Sequence, residues 1–148
     1  MTIREAIKND LSEWARMRNI LWPDSLQQHI EEIGEFFSGT SKDIVQVFVF
    51  ERVSAALAGF IEINFRNFVE GSRSSKVPYI EAWFIDEDLR EQGYGRKLTE
   101  VAEKWAMESS FNELGSDAEI DNINSIEAHK KLGFKEVERV VCFLKKLR

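Results

Sequence analysis

Two glycines one residue apart, Gly93 and Gly95, stand between an acidic turn and a helix-like stretch in "DLREQGYGRKLTE", residues 88–100. Glycine weakens a helix, so a pair at a helix start indicates that the backbone comes close to another group. A phosphate held by the free N–H groups of a helix N-terminus is one such group. A structural turn explains the pair equally well. Leu98 replaces the third glycine of a dinucleotide fingerprint, and the P-loop spacing is absent.

A single carboxylate, Glu81, interrupts the apolar run "VPYIEAWFID" at residues 77–86. Strand alternation predicts that it shares a face with Tyr79, Trp83 and Ile85, among aromatic side chains. An alkyl ammonium with a pKa of about 10.4 must lose a proton before it acts as a nucleophile. A carboxylate in such a setting could bind the ammonium group or accept its proton. A solvated glutamate at a strand end is the alternative interpretation.

Other polar and aromatic candidates have ordinary structural explanations. Asp117 in "LGSDAEID" is typical of a turn or cap, Asn122 of a helix cap, and Glu138 of a solvated strand residue. Trp22, next to Pro23, could pack in the core or form the wall of a sugar site. The residues alone leave these alternatives open.

Composition limits the classes of protein that fit. The 148 residues, 43% hydrophobic and 31% charged, predict one globular domain over residues 1–148. A net charge of −6 disfavours nucleic acid and suits a cationic partner, although mild acidity also favours solubility. Cys142 is the sole cysteine and neither His29 nor His129 has metal-ligand spacing, so no disulfide and no metal site are predicted. No signal peptide and no membrane-spanning run is evident, which predicts a cytoplasmic protein with no membrane partner.

The periodicity of apolar residues predicts the framework that carries these side chains. A strand in "TIREA" precedes two helices, one capped by Asp10 and ending before Pro23, the other in "SLQQHIEEIGEFF". Two strands joined near Glu51–Ser54 and a strand in "VPYIEAWFID" follow. A helix to about Ser109, a short strand in "NELGSD", a helix stopped by Gly133 and a closing strand in "KEVERVVCFLKKL" complete the chain. The predicted fold class is α/β (α+β), in the order β-α-α-β-β-β-α-β-α-β.

This order of elements, with "REQGYG" after the fourth strand, resembles the GCN5-related N-acetyltransferase superfamily over nearly the whole chain. The resemblance implies a mixed, mostly antiparallel sheet flanked by helices, with acetyl-CoA as co-substrate. It further implies that the strand before the turn pairs with the pantetheine arm and that the turn holds the pyrophosphate. The implied cofactor-binding residues are Trp83, Phe84, Ile85, Arg90, Glu91, Gln92, Gly93, Tyr94, Gly95, Arg96 and Asn122.

Five blocks, "RNILWPDS", "FVEGSRSS", "YIEAWFIDEDLREQGYG", "SDAEIDNINSIEAHKKLGF" and "EVERVVCF", are similar in order and spacing to the aminoglycoside 6'-N-acetyltransferases. This resemblance implies acetyl transfer to the 6'-amine of an aminoglycoside, hence antibiotic resistance, in a homodimer. It implies Glu81 as the catalytic residue. The implied substrate-binding residues are Trp22, Phe68, Glu81, Asp117 and Glu138.

Several positions depart from that family's pattern. Phe68 and Cys142 stand where tyrosines are common, and "EAW" places Ala82 and Trp83 beside the thioester in place of a glutamate–glycine pair. These changes leave the substrate range and the identity of the general acid open. No serine or cysteine is expected to have a partner histidine placed for a covalent intermediate, so direct transfer in a ternary complex is predicted. The alternatives are the same fold acting on a polyamine or a protein N-terminus, and a CoA-binding domain without turnover.

Overall fold

The computed structural model describes residues 1–23 and 25–148, so Asp24 in "RNILWPDS" lies outside the described residues. The strands in this part of the chain are β1 (Thr2–Glu5), β2 (Gln46–Glu51), β3 (Leu57–Arg66) and β4 (Val77–Ile85). The α-helices are α1 (Leu11–Leu21), α2 (Leu26–Ser38), α3 (Tyr94–Glu108) and α4 (Ile123–Lys131). The strands form one sheet in the order β1-β2-β3-β4, and every neighbouring pair is antiparallel. The predicted mixed α/β class with a mostly antiparallel sheet is confirmed.

Alternate residues of the sheet serve two separate cores. Val47 and Val49 of β2 pack with the fully buried Trp14 on the side of α1 and α2. Phe48, between them, packs on the opposite side with Leu98 of α3. Each fully buried side chain of this kind stabilises the fold by about 1.5–3 kcal/mol, so both faces of the sheet are anchored. None of the helices in residues 1–23 and 25–148 is long and apolar enough to cross a membrane.

Asp10 precedes α1, but its side chain does not cap that helix. Its carboxylate accepts two hydrogen bonds from the Arg4 guanidinium, at 2.8 and 2.9 Å, and one from the Ile7 N–H at 2.8 Å. Burial favours the protonated acid, but these hydrogen bonds hold the pKa of Asp10 below its usual value. The predicted capping role is therefore wrong, because the carboxylate clamps β1 to the start of α1.

The pairing of β3 with β4 contains a register shift. Glu62 pairs with Ala82, whereas the next residue of β3, Ile63, pairs with Ile80. Glu81 is consequently an extra residue in β4, as in a β-bulge. A bulge changes which face the following side chains reach.

The bulge separates Glu81 from the aromatic residues that follow it. Trp83 and Ile85 pack in the core beside α3, and Phe84 packs in the core beside α1. Glu81 instead lines a cavity with Trp22 on the side of α1 and α2. The prediction that Glu81 shares a face with Trp83 and Ile85 is therefore wrong, because simple alternation does not continue across a bulge.

Two predicted strands are not formed. In "NELGSD" a single parallel bridge joins Gly115 to Tyr79. The Ile80 N–H donates to the Gly115 carbonyl at 2.8 Å, and the Gly115 N–H donates to the Pro78 carbonyl at 2.9 Å. Residues 135–148, which include the predicted closing strand, belong to no helix or strand and are exposed. A strand requires backbone partners, and this segment pairs with no strand of the described chain.

Candidate active site

A cavity of about 390 Å³ opens among α1, α2, β3 and β4. Trp22, which follows α1 and is 39% exposed, forms part of its wall. Most charged residues of its lining are acidic, which favours a cationic ligand. The charged lining consists of Glu32, Glu35, Asp43, Glu62 and Glu81 with Arg18 and Arg66.

Glu81 is held by a guanidinium from the neighbouring strand. Arg66 donates hydrogen bonds from Nε to Oε1 of Glu81 at 2.8 Å and from Nη2 to Oε2 at 2.7 Å. This bidentate pairing is the strongest geometry available to an arginine and a carboxylate. The Glu81 side chain is 24% exposed, so it is reachable from the cavity. The structure therefore gives Glu81 an ion pair rather than the aromatic setting predicted by strand alternation.

Asp117 lies close to the same pair. The Tyr79 hydroxyl donates to Asp117 Oδ2 at 2.8 Å, and Arg66 Nη2 lies 3.9 Å from that oxygen. The Arg66 guanidinium carbon lies 3.6 Å from the centroid of the Tyr79 ring. Burial and the Asp117 contact raise the pKa of Tyr79 above its usual value, so the phenol remains a neutral donor. Arg66 thus connects two carboxylates that the family resemblance assigns to one pocket.

Two of the predicted substrate-binding residues lie elsewhere in the described chain. Phe68 is 73% exposed in the loop between β3 and β4, and Glu138 is exposed in the segment 135–148. Neither side chain lines the cavity. The cavity brings together Trp22 and Glu81, Asp117 adjoins it only through Arg66 and Tyr79, and Phe68 and Glu138 lie apart.

Gly93 begins α3 in a left-handed conformation, with φ of 86°. A Cβ at this position would meet nothing within 4 Å, so open space adjoins the helix N-terminus. The first N–H groups of a helix have no partner inside the helix and favour an anion. This arrangement fits the predicted pyrophosphate cradle.

Gly95 serves a different purpose from Gly93. A Cβ built on Gly95 would lie 2.9 Å from a ring carbon of Trp83, so the glycine lets α3 pack directly on the indole. The ring of Trp83 also meets that of His129 edge-on, with centroids 5.5 Å apart. Trp83 Nε1 is buried and finds no hydrogen-bond partner among the described residues. Trp83 therefore carries an unpaired N–H close to the start of α3.

The outer edge of β4 is largely unpaired in the described part of the chain. β4 is the last strand of the sheet, and Tyr79 and Ile80 contact Gly115 on that edge. No strand of the described chain pairs there with residues 81–85. An extended ligand could therefore add to this edge as a strand would.

Side chains of the turn after β4 mainly bond to nearby backbone. Arg90 Nε donates to the Ile85 carbonyl at 2.9 Å, and Gln92 Nε2 donates to the Asp88 carbonyl at 3.1 Å. Glu91 has a positive φ of 61°, a strained conformation for a residue other than glycine. These predicted cofactor-binding residues shape the turn itself.

The start of α3 is also fixed to its surroundings. Arg96 Nη2 donates to the Lys131 carbonyl at the end of α4, at 2.9 Å. The ring of Tyr94 packs on Phe50, with centroids 4.6 Å apart. Asn122 caps α4, because its side chain accepts the Ser125 N–H at 3.1 Å, as predicted from the sequence.

A serine–histidine contact lies between α4 and the segment near Gly115. Ser116 Oγ lies 2.7 Å from His129 Nε2, and His129 Nδ1 lies 2.7 Å from the Ser125 carbonyl oxygen. The carbonyl requires an N–H at Nδ1, so Nε2 accepts from the serine. Ser116 therefore has a histidine neighbour, and direct transfer without a covalent intermediate stays a prediction. In residues 1–23 and 25–148 no three His, Cys, Asp or Glu side chains are placed to hold a metal ion.

Comparison with known proteins identifies the group to which these features belong. The acetyltransferase (GNAT) family matches residues 11–134. The chain belongs to this family. An aminoglycoside N(6')-acetyltransferase type 1 of Klebsiella aerogenes is 36% identical, over 98% of this chain and 96% of the relative. Another, from Stenotrophomonas maltophilia, is 32% identical, over 96% of this chain and 91% of the relative.

Solved structures of this family superpose closely on the chain. The apo aminoglycoside antibiotic 6'-N-acetyltransferase AAC(6')-IG from Acinetobacter haemolyticus has a TM-score of 0.89 at 31% identity and covers 100% of both chains. AAC(6')-Iy in complex with the bisubstrate analog CoA-S-monomethyl-acetylneamine has a TM-score of 0.88 at 28% identity and covers 98% of this chain and 97% of its own. The family resemblance predicted from the glycine turn and the five blocks is confirmed.

Sequence reasoning missed several residues that line the acetyltransferase cavity. Glu62 is 1% exposed; Trp14 Nε1 donates to its Oε2 at 3.1 Å, and Arg18 Nε lies 3.2 Å from that oxygen. Burial outweighs these partners and raises the pKa of Glu62 to about 7. A carboxylate inside the apolar run "GFIEINF" was a usable signal, the same one that singled out Glu81.

The remaining acidic residues of the cavity gave no clear signal. Glu32 and Glu35 lie one turn apart on α2, a spacing that usually marks a solvated helix face. Asp43 lies in the connection between α2 and β2. Only the packing of α2 against α1 and the sheet places these three carboxylates beside Glu81.

Proposed function

We propose that residues 1–148 form one acetyl-CoA-dependent N-acetyltransferase domain that acetylates the 6'-amine of aminoglycoside antibiotics. The observation that carries this proposal is the acid-lined cavity reaching Glu81 at the bulge of β4, on the strand that leads into the glycine turn. An aminoglycoside carries several ammonium groups, which the acidic lining would attract. The names of the relatives from Klebsiella aerogenes and Stenotrophomonas maltophilia support the same acceptor.

Acetyl-CoA would bind along the outer edge of β4 and at the N-terminus of α3. The N-terminus of α3 at Gly93 would bind the pyrophosphate, and the free edge of β4 would pair with the pantetheine arm. The unpartnered N–H of Trp83, close to Gly95, would add one hydrogen-bond donor. Acetyl-CoA supplies the activated acetyl group, and the chain supplies its orientation.

The acidic cavity would hold the acceptor and prepare its amine. Glu81 binds the ammonium group and accepts its proton, directly or through one water molecule, so that the free amine attacks. Asp117 binds a second cationic group on the exposed side of Tyr79. Acetyl transfer from one bound substrate to the other then needs no covalent intermediate on the protein.

Thiol release from acetyl-CoA tests the acceptor directly. Neomycin and paromomycin are a matched pair, because they differ at the 6' position, where one carries an amine and the other a hydroxyl. We expect the purified protein to release thiol with neomycin and not with paromomycin. Release with spermidine alone would instead indicate a polyamine acetyltransferase. CoA binding without release for any amine would indicate a binding domain.

We further propose a homodimer in which segment 135–148 of one chain pairs with a second copy. Residues 140, 141, 143 and 144 of this segment are apolar, and Phe143 and Leu144 are 91% and 90% exposed. A strand-like sequence that has no partner in its own chain favours pairing with a second copy. Such pairing would bring Glu138 to a second chain, which explains its distance from its own cavity.

The oligomeric state in solution tests this arrangement. We expect light scattering to give the mass of two chains for the parent and of one chain for Phe143→Asp, because a carboxylate is costly to bury between copies. Val53→Asp is the matched control, since Val53 is 86% exposed in the turn between β2 and β3. An unchanged mass for Phe143→Asp would exclude the segment from the interface.

A further inference from the structure

The carboxylates proposed to receive the acceptor are already engaged by a cation of the chain itself. Arg66 makes two hydrogen bonds to Glu81, at 2.8 and 2.7 Å, and lies 3.9 Å from Asp117. The ring of Tyr79 supports the guanidinium on one side. Two negative groups and one positive group share the position that an acceptor ammonium would take.

The pairing of Arg66 with Glu81 opposes the binding of an acceptor. Both Glu81 oxygens accept from Arg66, so an ammonium group must share or take over these oxygens. Hydrogen bonds between charged groups are individually strong, but exposure weakens them, and the Arg66 side chain is 38% exposed. The Arg66–Glu81 pair is therefore strong enough to compete with an acceptor ammonium and weak enough for that ammonium to displace the guanidinium.

We propose that Arg66 is a specificity-determining residue, a built-in cation that the acceptor displaces from Glu81. This inference rests on the proposed acetyltransfer to a cationic amine. The Tyr79 ring, which already contacts the guanidinium, offers it a place to bind after its displacement from Glu81. An acceptor with one weakly held ammonium group gains little binding free energy when it displaces Arg66. An acceptor with several ammonium groups also makes contacts to the other acidic residues of the cavity.

A purely positioning role for Arg66 makes the opposite prediction. If the guanidinium only holds Glu81 in a productive orientation, its removal loosens the carboxylate. The acceptor KM would then rise or kcat would fall. If Arg66 competes, its removal frees both Glu81 oxygens, so the acceptor KM falls and kcat is maintained.

The experiment compares the acceptor KM and kcat of the parent, Arg66→Gln, Arg66→Lys and Lys104→Gln in the thiol-release assay with neomycin. We expect Arg66→Gln to lower the KM about five- to tenfold, as the loss of a partly exposed charged pair suggests, with kcat within about twofold of the parent. Arg66→Lys should lower the KM less than Arg66→Gln does. The lysine ammonium still competes for Glu81, although it cannot reproduce the bidentate contact. Lys104→Gln removes the same charge from an exposed position on α3 and should leave the KM unchanged.

Chemical complementation separates competition from positioning. Methylguanidinium should act as a competitive inhibitor against neomycin in Arg66→Gln and have no such effect on the parent at the same concentration. A raised KM or a lowered kcat in Arg66→Gln, restored by methylguanidinium, would overturn the proposal. If Arg66→Gln does not fold, Arg66→Lys decides alone, since a KM at or above that of the parent would also overturn it. A parent that acetylates no amine would instead refute the proposed function, and this inference with it.

Discussion

Two glutamates on neighbouring strands show how strongly a single environment decides a residue's chemistry. Glu81 is partly exposed and paired with Arg66, whereas Glu62 is fully buried between Trp14 and Arg18. Both line the same cavity. The exposed carboxylate is suited to meet an acceptor amine, and the buried one is suited to store a proton near neutral pH.

Glu81→Gln tests the role of Glu81 as proton acceptor. The amide keeps the size of the side chain and removes its charge and basicity, so we expect kcat to fall by about 10²–10⁴. The pH–rate profile at saturating acetyl-CoA should lose its acidic limb. If only the acceptor KM rises while kcat stays parental, Glu81 binds the ammonium without accepting its proton.

Glu62→Gln tests the buried carboxylate through the pH dependence of stability. The folded chain keeps the Glu62 proton up to a pKa of about 7, whereas the unfolded chain releases it near 4.5. Between these values the folded state binds the extra proton, so the stability of the parent falls as the pH rises. Relative to Glu62→Gln, we expect the parent to lose on the order of 3 kcal/mol of unfolding free energy from pH 4.5 to 7. Denaturant titrations across this range measure the difference, and parallel profiles would contradict the assignment.

At the scale of elements, local sequence signals predicted most helices and strands. The predictions failed where strand pairing determines the structure. Pro23 after α1, Asn122 before α4 and the left-handed Gly133 behind it mark helix ends in the sequence and in the structure. The bulge at Glu81 left no local signal, because it arises from the pairing of β3 with β4. The face of every residue after it could not be predicted by alternation alone.

The contact between α3 and β4 gives a prediction about packing. Gly95→Ala should destabilise the chain by about 1–3 kcal/mol, because its Cβ would overlap the Trp83 ring. Trp83→Leu should relieve this overlap, so the two changes should be strongly coupled in a double-mutant cycle of unfolding free energies. Gly34→Ala on α2 is the control, since its Cβ would meet nothing within 4 Å and should be neutral or stabilising. Additive effects of the Gly95 and Trp83 changes would exclude the close contact.

At the scale of the whole molecule, the acidic charge was predictable from composition, whereas the conformation of segment 135–148 was not. The net charge of −6 indicated a cationic partner, and the structure concentrates carboxylates around one cavity. The apolar residues of "KEVERVVCFLKKL" predicted a closing strand, but the described chain forms none there. A strand needs a backbone partner, and a sequence pattern does not name that partner.

The dependence of binding on ionic strength tests the role of the acidic charge. The Debye length is about 10 Å at 0.1 M salt and about 3 Å at 1 M, so added salt screens the attraction between a polycation and the cavity. We expect the neomycin KM to rise several-fold between low salt and 0.5 M sodium chloride. The acetyl-CoA KM, measured in the same series, is the control because that substrate is an anion. Equal salt dependence of both constants would point to a general effect of salt on the protein.

The bulge in β4 also affects how the enzyme could change under selection by antibiotics. Because one extra residue turns Glu81 toward α1 and α2 while Trp83 faces α3, neighbouring positions of one strand face opposite sides of the sheet. Under the proposed function, mutations around the acidic cavity would leave the cofactor site unaltered, and their effects should combine independently with changes at Trp83. A resistance enzyme built in this way can broaden its range of drugs while its use of acetyl-CoA stays constant.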